Sequence, residues 1–593
     1  MNKSASIILA YLMILVFSLY ALKPMLIAAN GLSTPRAISI SLGLLAITDD
    51  KGEIIGAGIR ITPGKGEVMV EPSELVAKDT RLSLAVASYY GLMMAGLNPL
   101  SFDVLISLNT SRSVKGPSAS GLVALAVYML ASRMLIAHNT TRLNYSMTGF
   151  LSPSGIILPV EGVCQKVSAG LKQYNSILVP AFERLNCGTL LDAFHILKTC
   201  SIPLGAMMLA THKTGFQQLS PRSIYPEAFS RYQESFSSIA KKLISVAKRL
   251  KTLLPAVNET IEHLLVESQE AYKHGEYYAA ASLAYYYIHV ILDRIASYKG
   301  GQNLLKARSL IMEELGYRDI NELRNNVSSF LLKESNYLTS ANLINLWNLD
   351  ILAESYKRLH EAQQLLDSND TLRSTYGVLR LYAALGWMML IKNTVEGPLI
   401  SRGALIDKMK ALIKYSEFWM KLLNTISIGL TNITTGLEDK LEEAAMELSR
   451  NNILKAYTGI EFVLERIEQL TSLAPIYEYY DKAYVLRCLK DTVAAYTMLL
   501  PSGVMPSMYL LSGYIEAYGH LLGYFADIEL LLTLISKAFI THFLSSPSMA
   551  WSFRYEESGF KANVTFFLLS YILVLAGMVI TLSAVLVTRR DKV

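Results

Sequence analysis

Cysteine is rare in this chain. Its 593 residues include four, at Cys164, Cys187, Cys200 and Cys488. None of them forms a CxxC pair, which argues against a structural zinc site. Cys187 and Cys200 would be able to form a disulfide if their domain lay outside the cytosol, and buried free thiols are the alternative. Charged residues make up 18% of the chain, and the net charge of +6 is not concentrated in one run. Nucleic-acid binding is therefore not expected.

Motifs for nucleotides and metals are missing as well. No GxxxxGKS or GxxxxGKT phosphate loop occurs. Residues 63–66, PGKG, superficially suggest one, but Gly66 stands where the magnesium-binding hydroxyl should be. The HExxH motif and a glycine-rich dinucleotide loop are also absent. We therefore expect no bound nucleotide, no cofactor and no metal.

Charge is also missing from two long apolar runs. Residues 5–22 are predicted to be a membrane anchor or the apolar core of a signal peptide, and small residues shortly after them leave that choice open. Residues 565–587 form a longer charge-free run just before Arg589 and Arg590. That arrangement is typical of a transmembrane helix with a cytoplasmic basic stop.

One span at each end would put everything between them outside the cytoplasm. Glycosylation sequons support this placement, at Asn109, Asn139, Asn144, Asn258, Asn326, Asn369, Asn432 and Asn563. We expect a protein of the cell membrane whose main domains lie on the extracytoplasmic side.

Between the apolar runs the sequence pattern changes once. From 36 to 213, strand periodicity such as that of Ala37–Ile47 alternates with helical periodicity, which predicts a mixed α+β domain. Ala119–Leu135 is almost uniformly apolar and is predicted to be a buried helix. His212–Pro226 is polar and proline-containing, so it is predicted to be a linker.

Residues 227–548 are predicted to be an all-α domain, since apolar residues recur there at spacings of three and four. Ala271–Ala280 has the spacing of small residues, glycine and tyrosine typical of tetratricopeptide-type helix pairs, and Ala445–Gly459 resembles it. No steady 34-residue period occurs, so an irregular helical domain is the alternative.

The stretch KGPSASG at residues 115–121 precedes the apolar helix and is the first candidate for chemistry. A serine after Gly-Pro is held on a tight turn, where N–H groups of the following helix are able to stabilise an oxyanion. A helix cap is the alternative function of such a serine. The hydrolase elbow GxSxG is not present, because Ser120 occupies the last position of that motif.

Three further elements follow in order: MTG at 147–149, ILPVEGVCQKV at 157–167 and ILVP at 177–180. Together with the serine turn they resemble the proteolytic domain of the Lon family. That family carries a GPSAG-like turn, an MTG element, an LPVGGxxxK element and a V-I-P strand in this order. The resemblance covers about residues 36–211, and the chain is similar to archaeal membrane-associated Lon-like proteins that lack the ATPase.

The resemblance implies a Lon-type α+β fold and a Ser–Lys dyad, with Ser118 as nucleophile and Lys166 as general base. Thr148 and Ala119 are candidate supporting residues. Protein or peptide substrates and self-association are implied as well, since Lon-type domains form rings. A lysine in water has a pKa near 10.4, so the base must be buried for this chemistry, and nearby valines supply apolar neighbours for it.

The sequence departs from the family pattern at several positions. Lys115 stands where the family commonly has an acidic residue, and Glu161-Gly162 replaces its glycine pair. Cys164 lies two residues before the lysine, and Ser120 replaces a glycine. Both dyad residues are retained.

From the sequence we therefore expect a membrane-anchored, ATP-independent serine endopeptidase. The alternative is a catalytically silent Lon-fold scaffold whose helical domain binds a partner at the cell surface. A third alternative is activity limited to self-cleavage.

Overall fold

A computed structural model describes residues 38–48, 50–132, 143–183, 187, 196–211, 226–254, 259–393, 397–426, 431–479, 481–500 and 505–546. The predicted membrane segments, 5–22 and 565–587, lie outside these residues, as does the predicted linker up to residue 225.

The first sheet begins with the long antiparallel hairpin of β1 (Ile38–Thr48) and β2 (Lys51–Pro63). β4 (Phe102–Asn109) pairs antiparallel with β2, and β3 (Val68–Glu71) pairs parallel with β4. The sheet order is therefore β1-β2-β4-β3. The strand predicted at Ala37–Ile47 is confirmed for its described residues. Ile40, Leu42 and Leu44 of β1 are buried, whereas Ser39 and Ser41 are exposed.

Two smaller strand groups follow. β5 (Tyr145–Met147), β8 (Ser176–Pro180) and β9 (Ile196–Thr199) form a parallel sheet in the order β5-β8-β9. β6 (Phe150–Leu151) and β7 (Ile157–Leu158) form a short antiparallel hairpin.

The helices of this α/β part are α1 (Lys78–Met94), α2 (Ser120–Ala131), α3 (Val163–Gly170) and α4 (Ile202–Thr211). α2 packs against α1 and is buried on nearly every side, as its apolar sequence predicts. The last residues predicted for it, 133–135, lie outside the described part of the chain.

The rest of the described chain is mainly helical. Its helices are α5 (Pro226–Ser235), α6 (Ser237–Lys251), α7 (Glu259–Lys273), α8 (Tyr277–Leu315), α9 (Ile320–Ser340), α10 (Leu346–Leu366), α11 (Thr371–Met389), α12 (Arg402–Ile426), α13 (Thr431–Ser449), α14 (Ile453–Tyr477), α15 (Lys482–Leu499), α16 (Pro506–Leu522) and α17 (Tyr524–Ser545).

The prediction that this part is all-α is wrong in one place. β10 (Leu343–Asn345) and β11 (Leu399–Ser401) pair antiparallel within it. Their apolar spacing also fits the helical pattern, and three-residue strands are too short for periodicity to distinguish them.

Both segments that resemble helix pairs contain a turn between two packed helices. Gly275, with a φ of 77°, separates α7 from α8, and Asn451, with a φ of 65°, lies between α13 and α14. Each pair of helices is in contact. A left-handed residue ends a helix here and lets the chain reverse.

α17 is long and apolar enough to cross a membrane, and 78% of its most apolar stretch is buried inside the protein. A buried core helix meets the same criteria, so this is weak evidence for membrane association and does not indicate a side of the membrane.

The described residues belong to one compact unit, in which the helical part packs directly on the α/β part. Aromatic contacts join the two: Tyr90 stacks on Phe539 with ring centroids 5.1 Å apart, and Tyr89 meets the edge of Phe418 at 5.1 Å. This contact extends to the strands that follow α2, because Phe150 of β6 lies 5.9 Å from Trp419 of α12.

Candidate active site

The predicted nucleophile lies in a turn just before α2, at residues 116–119, here called the Ser118 turn. Gly116 opens it with a φ of 94°, a left-handed conformation that favours glycine. The amide of Gly116 donates to Oδ2 of Asp79 over 3.2 Å, and its carbonyl oxygen accepts from the Thr80 hydroxyl over 3.2 Å. Both partners lie in the first turn of α1, so that helix anchors the Ser118 turn.

The two serines of this segment differ in their surroundings. Ser120 is fully buried; its hydroxyl donates to the carbonyl of Pro117 over 2.7 Å and accepts from the amide of Leu151 over 2.9 Å. Ser118 is half-buried, and its hydroxyl makes no hydrogen bond within the described residues. Ser118 therefore has the hydroxyl that is free to react.

The backbone N–H groups near Ser118 are only partly available. Those of Ser120 and Gly121, the first two residues of α2, already donate to backbone carbonyls over 3.0 and 3.2 Å. The expectation that N–H groups of the helix are available beside Ser118 is therefore wrong for Ser120 and Gly121. Across the described chain, the N–H groups of Ser118 and Ala119 have no protein acceptor. These two are the candidates for binding an oxyanion.

Lys166 lies in α3 and is buried as predicted, with 5% of its surface exposed. Burial lowers the pKa of its amine, while the carboxylates of Glu161 and Glu183 act to raise it. Its Nζ donates to the carbonyl oxygen of Glu161 over 2.9 Å. The apolar cluster packed around α3 consists of Leu45, Val163, Val167, Tyr174, Ile177 and Val179.

Thr148 is fully buried, and its hydroxyl has no hydrogen-bond partner among the described residues. Its amide donates to the carbonyl of Leu178 in β8 over 3.1 Å. The next residue, Gly149, donates its amide to the carbonyl oxygen of Ser118 over 3.0 Å. The MTG element is thus bonded directly to the Ser118 turn.

One cavity of about 600 Å³ brings Ser118 and Lys166 together. Lys115, Ala119 and Glu161 line it as well, whereas Thr148 is not among its lining residues. Much of the remaining wall is apolar, formed by residues such as Leu44, Leu45, Ile47, Ile54, Ile55, Leu108, Val114, Phe150 and Val160. A free hydroxyl and a buried amine at one cavity are the groups that nucleophilic attack on an acyl carbon requires.

Several residues that shape this site are not predicted from the sequence. Asp79 and Thr80 carry a weak signal, since such residues are common at helix starts. Glu183 carries none; its Oε2 accepts from the amide of Val160 over 3.2 Å, next to the turn that leads into α3. Glu183 raises the pKa of Lys166 because the fold places its carboxylate near that amine, and the sequence pattern does not indicate this proximity.

The cysteines pair differently from the prediction. Disulfides join Cys164 to Cys187 and Cys200 to Cys488, with Cα atoms 5.3 and 5.8 Å apart. Neither the Cys187–Cys200 bridge nor free thiols are present. The first disulfide begins in α3, two residues before Lys166, and the second links the α/β part to α15.

Away from this cavity, the described residues contain one acidic group with spacing suited to a metal ion: Asp350, Glu354 and Glu461. Lys537 forms ion pairs with all three, at 2.6 Å from Glu354 and 3.6 Å from Asp350. A buried ammonium therefore already supplies positive charge to these carboxylates.

The chain matches no model of a protein family and no curated protein. Its function is therefore inferred from the residues that meet at the cavity.

Proposed function

We propose that this protein is a membrane-anchored serine endopeptidase of Lon type that works without ATP. Ser118 is the nucleophile and Lys166 the general base. The observation that carries the proposal is that both residues line one cavity, one with a free hydroxyl and the other buried with a lowered pKa. Burial against apolar residues is the physical means by which a lysine becomes able to accept a proton near neutral pH.

The reaction follows from these groups. The neutral amine of Lys166 accepts the Ser118 proton while Oγ attacks the peptide carbonyl carbon, and the N–H groups of Ser118 and Ala119 bind the resulting oxyanion. Lys166 then gives the proton to the leaving amine, and the C–N bond breaks. Water attacks the acyl-enzyme, Lys166 takes its proton, and the acid product leaves as the Ser118 hydroxyl forms again.

The extracytoplasmic location is part of the proposal. Disulfides persist in oxidising compartments, and this chain has two. A protease on that side has no ATP supply, in agreement with the missing phosphate loop. Its substrates are then unfolded segments, peptides or loops of membrane-associated proteins.

One observation favours a second candidate, the catalytically silent scaffold. Glu161 and Glu183 both raise the pKa of Lys166 and so oppose the effect of burial. Burial has the larger influence, but the two carboxylates limit how far it lowers this pKa. A Lys166 that stays protonated at neutral pH would leave Ser118 without a base.

The test uses the full chain, purified in detergent, with an unfolded protein as substrate and a fluorophosphonate as serine probe. Without nucleotide, we expect cleavage and labelling by the parent. Ser118→Ala and Lys166→Ala should each lower the rate by at least about 10³-fold. Ser113→Ala, an exposed serine of the same cavity wall that belongs to no glycosylation sequon, is the matched control and should keep the parent rate.

Two results would overturn the proposal. Stimulation of cleavage by ATP would contradict the independence from nucleotide. A folded parent chain that neither cleaves nor reacts with the probe would favour the scaffold.

A further inference from the structure

A short hairpin connects the two halves of the candidate dyad. It consists of β6, the turn at residues 152–156 and β7. At the β6 end of the hairpin, the amide of Gly149 donates to the carbonyl of Ser118, and the amide of Leu151 donates to the hydroxyl of Ser120. After β7 the chain continues to Glu161, whose backbone carbonyl oxygen accepts a hydrogen bond from Nζ of Lys166. A shift of this hairpin therefore moves both the nucleophile and the base.

The tip of the hairpin is held by Glu468 of α14. Its Oε2 accepts from the amide of Ser154 over 2.7 Å and from the hydroxyl of Ser152 over 3.0 Å. Its Oε1 accepts from the hydroxyl of Ser472 in the same helix over 2.5 Å. Glu468, Ser152 and Ser154 are all fully buried.

Two tyrosines of the helical part complete the contact. The Tyr415 hydroxyl donates to the carbonyl of Pro153, and the Tyr496 hydroxyl donates to the carbonyl of Ser154, each over 2.8 Å. Buried polar groups that lose their partner are costly, so these bonds from the helical part stabilise the tip in this position. The α/β part contributes as well, because the amide of Ile202 donates to the carbonyl of Gly155 over 2.8 Å.

We propose that Glu468 is a positioning residue for the Ser118–Lys166 dyad, acting from the helical part through the tip of the β6–β7 hairpin. This inference rests on the proposed protease function. It gives the helical part a role in positioning the dyad, since Glu468 of α14 is the acceptor for both the Ser152 hydroxyl and the Ser154 amide.

The experiment uses the full chain in detergent and three variants. Glu468→Ala removes the acceptor. Glu468→Gln keeps one oxygen for the Ser154 amide and is able to donate to Ser472, so it should restore function. Asp350→Ala is the matched control, because Asp350 is equally buried in the helical part and accepts from an amide and a hydroxyl of one serine, Ser507.

In folded Glu468→Ala we expect kcat and the rate of Ser118 labelling to fall by about 10²-fold, because small displacements of reacting groups have effects of this size. KM should change little. Glu468→Gln should stay within about fivefold of the parent. Asp350→Ala should lower the melting temperature by a similar amount to Glu468→Ala but keep the parent rate. Hydrogen exchange should increase at residues 147–161 in Glu468→Ala alone.

The outcomes separate the two proposals. If the parent is inactive, the protease proposal fails, and exchange still decides whether Glu468 holds the hairpin. If the parent is active and Glu468→Ala matches it in rate and in exchange, the inference about Glu468 is overturned. Equal loss of rate in Asp350→Ala would also overturn it, since the effect would then be one of stability.

Discussion

The side-chain nitrogen of Lys166 donates a hydrogen bond over 2.9 Å to the backbone carbonyl oxygen of Glu161, a residue whose own carboxylate raises the pKa of that lysine. The turn that leads into α3 thus orients the base and also favours its protonated form. Burial acts in the opposite direction and is the larger influence, so the pKa lies below its ordinary value. The balance between burial and this carboxylate sets the pH at which Lys166 becomes a base.

Glu161→Gln should shift the pH profile of Ser118 acylation to lower pH. The neutral lysine is the active form, so the rate rises with pH through the pKa of Lys166. Removing a carboxylate that raises this pKa lowers the midpoint. The measurement is the rate of fluorophosphonate labelling against pH.

Glu442→Gln, an exposed carboxylate on α13, is the control and should leave the midpoint unchanged. A midpoint that moves to higher pH in Glu161→Gln would contradict the role given to Lys166.

Thr148→Val should slow acylation by about tenfold, equivalent to roughly 1.4 kcal/mol, without loss of stability. The Thr148 hydroxyl is buried without a partner among the described residues, so its removal leaves no new unpaired group. We expect that hydroxyl to bond Lys166 once the amine turns from Glu161 towards Ser118. Labelling rate and melting temperature are measured together.

Thr458→Val is the comparison, because that buried hydroxyl donates to a carbonyl of its own helix, away from the cavity. If Thr148→Val keeps the parent rate, Thr148 has a packing role only.

Some parts of the fold can be predicted from the sequence because a local pattern of residues determines them. The alternation along Ala37–Ile47 predicts β1, and Gly275 predicts the turn between two helices. The burial of Lys166 follows from the valines around it in the chain. The signals for β1 and for the glycine turn are local. The burial of Lys166 also needs a distant strand, because Leu45 of β1 belongs to the apolar cluster around α3.

The remaining features depend on contacts between distant segments. Glu468 binds residues 314 and 316 positions away, and Cys200 pairs with a cysteine 288 positions away. No local pattern marks Glu468, because one acidic residue on a helix usually faces solvent. With four cysteines, three pairings are equally compatible with the sequence.

Both disulfides should be present in the protein as it exists in cells. If cells are treated with a membrane-permeant alkylating agent before lysis, non-reducing peptide mapping should find Cys164 linked to Cys187 and Cys200 linked to Cys488. Alkylated cysteines would instead indicate a reducing compartment and contradict the extracytoplasmic placement. Replacing Cys200 and Cys488 together by serine should lower the free energy of unfolding by about 2–5 kcal/mol.

Lys408 of α12 predicts a dependence of stability on pH. Its Nζ donates to the carbonyls of Phe543, Leu544 and Ser546 at the end of α17, over 2.6, 3.2 and 2.7 Å. Burial lowers the pKa of Lys408 to about 7. Between that value and the roughly 10.4 of an unfolded lysine, the unfolded chain binds a proton that the folded chain does not, so this residue makes stability rise with pH.

Lys408→Met should therefore destabilise the protein more at pH 9 than at pH 6. The difference between parent and variant should grow by at most about 1.4 kcal/mol per pH unit in this window. Thermal unfolding at pH 6, 7.5 and 9 measures it, with Lys410→Met on the exposed side of the same helix as control. Lys410→Met should change stability by less than about 0.5 kcal/mol at each pH. A difference for Lys408→Met that stays constant from pH 6 to pH 9 would contradict this prediction. It would mean that the folded protein keeps Lys408 charged, because both states would then bind the proton throughout this window.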